Sequence, residues 1–405
     1  MTNPVIKKLS EFGEGFKHHH ENYEAKSISK IRETGGVWEL GPLSFYFPEH
    51  FGFCYGVDKA IDMVFETCAR FSESGQRIFL TDQLIHNPYI NGKLKEKGVH
   101  YLKRDAQNLL LCEELVPSDV VVVSAFGTDF RDVLRLREKG VTIVDSTCGA
   151  IINVWKRVEG YAKNGFITIM HGKRHHEETR ATVSQAVKEG GAYITIENRT
   201  EARDLVEVIL GARSEKDFIQ KYPGCAPSVD FAFDASICKM GMANQTTMLK
   251  GESLDIQEML RGAFTQRFGE AVTRERFKSF DTICGATQDR QDALRNLLEK
   301  PLDLLMIVGG FNSSNTSHLA EIADPSTGLG HRVVPFFHIE GEKDIVSSQM
   351  IRARDPKTGQ AKDFENWLPK KLKNIGITSG ASTPDVTLFE VIQKICSIEP
   401  PKVSP

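Results

Sequence analysis

"VDSTCGAIINVWKRV" (144–158) and "FDTICGATQDRQDAL" (280–294) share the pattern Asp-x-x-Cys-Gly-Ala. In each, an apolar run gives way to a helical pattern at the cysteine. A third stretch, "FGFCYGVDKAIDMV" (51–64), follows the same plan without the aspartate. Cys54, Cys148 and Cys284 therefore sit at three strand-to-helix corners. In open α/β sheets ligands gather at the carboxyl ends of strands, where such corners lie. The three cysteines divide the chain into intervals of roughly 100–140 residues, each the size of one small α/β unit. If three such edges face one another, three thiolates can meet at one point.

The remaining sequence fits this frame. Short β-rich runs alternate with helical patterns from Gly41 onward, the signature of parallel sheets with crossover helices. Strands are predicted at 77–81, 119–126, 141–146, 166–172, 192–198, 302–310, 332–339 and 374–380. Several of them, such as "DVVVVSAF" (119–126), are apolar throughout, as parallel strands covered on both faces should be. Helices are predicted after Cys54, Pro88, Thr128, Cys148, Glu178, Thr200, Gly251, Cys284, Asn315 and Pro384. The expected architecture is three small parallel-sheet α/β domains. Residues 1–37 read as a mobile or loosely docked extension, with His18, His19 and His20 as a solvated tract rather than metal ligands. The domains are expected at 38–147, 148–283 and 284–396, followed by a tail, 397–405. Within the second, 211–250 reads as a loop-rich insertion.

Composition excludes several classes. The 405 residues carry a net charge of −3, so charge alone predicts no nucleic-acid footprint. No apolar run is long enough to span a bilayer, and the N-terminus lacks the apolar core of a signal peptide. The expected compartment is the cytoplasm, where thiols stay reduced. None of the eight cysteines forms a CxxC pair, which argues against a zinc ribbon. Neither a Walker phosphate loop nor a Gly-x-Gly-x-x-Gly fingerprint is present.

Three thiolates without a fourth partner are one short of a structural zinc site. A cubane iron–sulfur cluster normally takes four cysteines. Held by three, it leaves one iron open to substrate. Gly52, Gly56, Gly149 and Gly285 would let the backbone approach a bulky cluster. Cys68, Cys112 and Cys396 lie on apolar patterns and read as packing; Cys225 and Cys238 fall in the insertion, and their role is open. "IVGGFNSSNTSHLAEIA" (307–323) ends a buried strand in Gly-Gly and opens a helix with Ser313, Ser314 and Asn315, an anion cradle with more polar residues than a cap needs. "ITSGASTPD" (377–385) repeats the plan with Ser382. In "HGKRHHEETRAT" (171–182), a buried glutamate could keep its proton near neutral pH and act as a general acid; a solvated helix start is the competing reading.

With these residues in hand, the chain resembles the 4-hydroxy-3-methylbut-2-enyl diphosphate reductase family, whose reaction ends the methylerythritol phosphate route to isoprenoids. The resemblance runs from about Phe51 to Ile392. It comprises GFCxGV, His-Asn after a strand, Asp-x-Thr-Cys, His-x-Glu, Gln-Thr-Thr, the third cysteine, Asn-Ser-Ser-Asn and Gly-Ala-Ser-x-Pro-Asp. It implies three α/β domains around a central [4Fe–4S] cluster held by Cys54, Cys148 and Cys284. It also implies a diphosphate site at His86, His176, Ser313, Ser314, Asn315 and Ser382, with Thr246 near the substrate hydroxyl. His175-x-Glu177 and His176-x-Glu178 both fit the His-x-Glu motif. The family has a threonine six positions after this histidine; Thr182 answers to His176, whereas Ala181 would answer to His175. His176 is therefore assigned to diphosphate and Glu178 to proton donation. The family's substrate-contacting histidine in Ser-Ala-His-Gly is here Phe126, a mark of the longer plant- and cyanobacterium-like members, and His175 is a candidate replacement donor.

The implied activity is reductive dehydroxylation of an allylic alcohol diphosphate to isopentenyl and dimethylallyl diphosphate. Electrons are expected from an external protein, ferredoxin or flavodoxin. The main rival is a non-catalytic iron–sulfur redox sensor, which needs neither the anion cradle nor Glu178. A cysteine-nucleophile hydrolase is a second rival and would need only one essential cysteine.

Overall fold

The computed structural model describes residues 5–12, 17–33, 35–72, 74–328 and 333–398. The last residues of the expected tail, 399–405, lie outside the described residues. The chain folds into two compact units. One comprises the residues up to Lys8 with Phe71–Asp82 and His100–Cys284; the other comprises Leu9–Arg70, Gln83–Val99 and the chain from Gly285 onward.

The first unit contains two parallel sheets. One has the strand order Val5–Ile6, Thr142–Asp145, Val120–Val123, Ile78–Leu80 and His100–Tyr101. All four valines of Val120–Val123 are buried, as a central strand covered by helices on both faces requires. The other sheet has the order Phe277–Ser279, Lys239–Asn244, Phe166–His171 and Tyr193–Ile196. The second unit is built on a five-stranded sheet of Phe336–Ile339, Leu304–Val308, Asn374–Ser379, Leu43–Tyr46 and Val37–Leu40, parallel except at its last edge. Leu304–Val308 is buried at every position. A hairpin of Met350–Arg354 and Ala361–Glu365 completes the unit. The α/β class is as expected, and each of the eight predicted strands and ten predicted helices has a counterpart. No helix among the described residues is long and apolar enough to cross a membrane.

Three readings need correction. Residues 38–71 do not join the sheet of 78–145; Leu43–Tyr46 pairs with Asn374–Gly376, and the helix Tyr55–Phe71 begins within the second unit. Sequence intervals cannot reveal such a pairing across more than three hundred residues. The supposed insertion 211–250 contains the helix Glu215–Lys221 and an inner strand, Lys239–Asn244. Its sequence, "KMGMAN", lacks β-branched residues, which hid it. Gly241 is required there: a Cβ would come within 2.5 Å of the Tyr161 ring.

The N-terminal segment, finally, is docked rather than loose. Val5–Ile6 extends a sheet edge in the first unit. In the second unit, the helix Lys26–Glu33 buries Ile28 and Ile31 among Phe45, Leu388 and Ile392. The histidine tract meets the buried carboxylates of Asp62 and Glu66.

Candidate functional site

In the first unit the structure brings Glu178 and Thr246 together. Glu178 opens the helix Glu177–Lys188, and its carboxylate is 1 % exposed. The Thr246 backbone N–H donates to Oε1 at 2.6 Å, and the Thr246 hydroxyl donates to Oε2 at 2.9 Å. Burial raises the Glu178 carboxyl from its ordinary 4.5 to about 7, against the opposing pull of these two hydrogen bonds. It is thus a carboxyl able to hold or release a proton at neutral pH.

His176 caps the same helix, its Nδ1 accepting the Glu178 N–H at 3.1 Å, and is itself buried. Phe126 packs edge-on against the His176 ring at 5.4 Å. His175 is exposed, and with Glu177 it lines a separate cavity of about 370 Å³ that also takes in Arg104, Arg174 and Arg180. Gln245 holds the whole corner. Its Oε1 accepts from the Lys173 N–H at 3.0 Å and from the Thr179 hydroxyl at 3.2 Å, and its Nε2 donates to Thr247 at 2.9 Å. Gly172 must be glycine for this, since a Cβ would lie 2.8 Å from both Gln245 and Thr179.

Cys148 and Cys284 belong to the same unit. Cys148 caps the helix Gly149–Lys163, and its N–H donates to the Ala125 carbonyl at 3.0 Å, next to Phe126. The Cys284 N–H donates to the Thr246 carbonyl at 3.1 Å. The loop that fixes Glu178 therefore also fixes the third cysteine.

The second unit repeats this logic. The Cys54 N–H donates to the Ala381 carbonyl at 3.3 Å, and the Ala381 N–H donates to Asn315 Oδ1 at 2.9 Å. Ser382, the next residue, is half-buried. Ser313 caps the helix Ser314–Ala323. Among the described residues the buried Ser314 hydroxyl has no hydrogen-bond partner, a costly arrangement unless a ligand satisfies it. His86 is buried, and its Nδ1 lies 3.0 Å from Asn312 Nδ2; Asn312 also donates to Gln83 at 3.0 Å. The backbone of Gly310 approaches the His86 carbonyl so closely that a Cβ would stand 2.4 Å from it. Gln83 and Gln245 orient site residues, and sequence reading assigned neither that part. An amide among polar neighbours carries no local signal of what it will hold.

The cysteines divide by chemistry. Burial pushes the thiols of Cys68, Cys225 and Cys238 up to about 11 and raises that of Cys112 as well. Such thiols stay protonated and make poor ligands. Cys396 is exposed on the last helix. Cys54, Cys148 and Cys284 are half-buried at helix N-termini, and no cysteine is in a disulfide. Within its own unit, each of the three is placed where a thiolate ligand could be presented.

The class is an α/β protein whose first unit carries a buried glutamate of neutral-range pKa and whose second unit carries a polar helix start. The LytB protein family matches residues 46–396, and the chain belongs to that family. A relative from Gloeobacter violaceus, named 4-hydroxy-3-methylbut-2-enyl diphosphate reductase, is 40 % identical over 380 residues, covering 93 % of this chain and 88 % of the relative. A Thermosynechococcus vestitus protein of the same name is 39 % identical over 392 residues, covering 95 % and 94 %. Among solved structures, the E-1-hydroxy-2-methyl-but-2-enyl-4-diphosphate reductase from Plasmodium falciparum shares the fold. Its TM-score is 0.64 at 21 % identity, covering 88 % of each chain. A second, an (E)-4-hydroxy-3-methyl-but-2-enyl diphosphate reductase described as the terminal enzyme of the non-mevalonate pathway, gives a TM-score of 0.52 at 24 % identity. That match covers 87 % of this chain and 99 % of the other.

Proposed function

We propose that this protein is a 4-hydroxy-3-methylbut-2-enyl diphosphate reductase. It would remove the allylic hydroxyl of that substrate, at the expense of two electrons and two protons, to give isopentenyl or dimethylallyl diphosphate and water. The observation that carries the reading is the Glu178–Thr246 pair: a buried carboxyl near pKa 7, on the His-x-Glu corner, in a chain of this family.

A [4Fe–4S] cluster on Cys54, Cys148 and Cys284 would supply the electrons singly and offer an iron without a protein ligand to the substrate hydroxyl. The chain's own residues do the rest. His86, His176, Ser313, Ser314, Asn315 and Ser382 take the diphosphate, with the backbone amides at the start of the helix Ser314–Ala323 favouring its charge. Anchoring the remote diphosphate orients the small reacting end without relying on contacts to it. Glu178 gives its proton to the departing hydroxyl, so that the C–O bond breaks to water rather than hydroxide. Thr246 holds the carboxylate that remains, through the two hydrogen bonds that favour its charge. The second proton enters at either end of the allylic system, which sets the product ratio. The electrons come from an external donor, ferredoxin or flavodoxin, and the protein works in the cytoplasm.

Anaerobic purification with iron and sulfide analysis, followed by turnover with reduced viologen, tests the reading. Iron-loaded protein that consumes the allylic diphosphate supports it. Iron-loaded protein inert toward that substrate favours the redox sensor, and active protein free of iron favours the cysteine hydrolase.

A further inference from the structure

We propose that His18, His20 and Asp62 form a second metal site, for a divalent transition cation of the zinc type, which clamps the N-terminal segment to the helix Tyr55–Phe71. His18 Nδ1 lies 2.9 Å from Asp62 Oδ2, and His20 Nδ1 lies 2.9 Å from both oxygens of the same carboxylate. One ligand atom from each of the three residues falls within 4.8 Å of the others. Two imidazoles thus turn the same ring nitrogen onto one carboxylate. Two histidines and a carboxylate, with a fourth position left to water, are a common zinc donor set.

The geometry suits a cation. Bonds of about 2.0 Å in a tetrahedral site keep ligand atoms about 3.3 Å apart, so the imidazole–carboxylate spacings need open by only a few tenths of an ångström. A backbone group that is not itself a ligand also orients the carboxylate. The His20 backbone N–H donates to Asp62 Oδ1 at 2.9 Å, which leaves Oδ2 toward the imidazoles. Partners of this kind steer metal-bound carboxylates. Asp62 is 2 % exposed, whereas the His18 side chain is 52 % exposed, so the site is anchored on its inner side and open to solvent on its outer side. Asp58, one turn earlier on the helix, sets a half-buried carboxylate near the buried Asp62, a like-charge arrangement a cation relieves. His19 points elsewhere and pairs with Glu66 at 3.1 Å, which is why only alternate histidines of the tract converge.

The clamp would act on the helix that begins directly after Cys54. Asp62 lies eight positions after Cys54, about 12 Å of helix rise. A bound cation would thus tie the extension to the element that presents the first cysteine, without taking part in the chemistry there.

The test uses full-length, iron-loaded protein, stripped of loosely held metal and dialysed anaerobically against zinc chloride with a competing chelator. Elemental analysis should find one zinc per chain beyond the iron in the wild type and none in His18→Gln/His20→Gln. Both proteins should show equal iron content and circular dichroism. In His20→Gln alone, zinc affinity should fall by more than the ~10–100-fold that loss of an outer partner costs. His20→Lys keeps a charge partner for Asp62 but no imidazole, and it should lose the zinc as well. Absence of the extra zinc from the wild type, or its retention in the double variant, would overturn the proposal.

Discussion

Thr246 occupies both oxygens of the Glu178 carboxylate, its backbone N–H at 2.6 Å and its hydroxyl at 2.9 Å. Both donors favour the ionised form, yet burial outweighs them and leaves the group near 7. A proton donor for a leaving hydroxyl needs this balance: protonated before the step and stabilised after it. Glu178→Gln keeps the shape and removes the proton. Turnover should fall about 10²–10⁴-fold with iron content unchanged. Loss of turnover in Glu177→Gln, with Glu178→Gln active, would shift the assignment by one residue.

The same balance predicts a pH profile. The donating form of Glu178 is the protonated one, so kcat/KM should decline as pH rises through about 7. Thr246→Val removes the hydroxyl, one of the two groups holding the value down, so the falling limb should move to higher pH. Movement to lower pH would contradict the role assigned to that hydrogen bond.

Stability should carry the same signature. A carboxyl raised from 4.5 to about 7 binds its proton more tightly folded than unfolded, so its contribution is present at low pH and fades as pH rises to about 7. Urea midpoints should therefore decline between about pH 5 and about pH 8 more steeply in the wild type than in Glu178→Gln, in which this group does not titrate. Parallel curves for the two proteins would place the titration elsewhere.

Ser314 offers a test on the diphosphate side. Its buried hydroxyl has no partner among the described residues, so removing it costs no hydrogen bond to them. Ser314→Ala should melt within about 0.5 kcal/mol of the wild type, or above it. KM for the allylic diphosphate should rise about tenfold or more, the worth of one hydrogen bond to a charged group. A large stability loss with unchanged KM would make the hydroxyl structural.

What the sequence conveyed, and what it withheld, follows from the range of each signal. Cys148 and Cys284 announce their corners because the strand, the cysteine and the helix are contiguous, and "VVVV" can only be an inner strand. Glu178 and Thr246 were each legible from a short motif, but their bond, across 68 residues, was not. Leu43–Tyr46 was missed because its partner lies near the other end of the chain. The histidine tract read as solvated because its partners, Asp62 and Glu66, are acidic residues that nothing local marks as buried.

Gly52 links the fold to the first cysteine. Its φ of +79° is strained for any other residue, and a Cβ would sit 2.6 Å from Arg32 Nη2 and 2.8 Å from Asp385 Oδ1. Those two side chains form a paired contact, with both Arg32 terminal nitrogens 2.6 Å from the Asp385 oxygens. Gly52 is further pinned by its N–H to Ser379 at 2.8 Å and by its carbonyl, which accepts from Arg290 at 2.6 Å. Gly52→Ala should cost about 1–2 kcal/mol from the backbone alone, plus the broken ion pair. Because Cys54 lies two residues on, purified protein should also retain less iron. Arg32→Ala loses the pair and no longer holds the Asp385 carboxylate against the new methyl group, so the double variant should be less destabilised than the sum of the singles. Strictly additive melting shifts would mean that the two residues act independently, and that the Arg32–Asp385 pair does not set the position of the Cys54 corner.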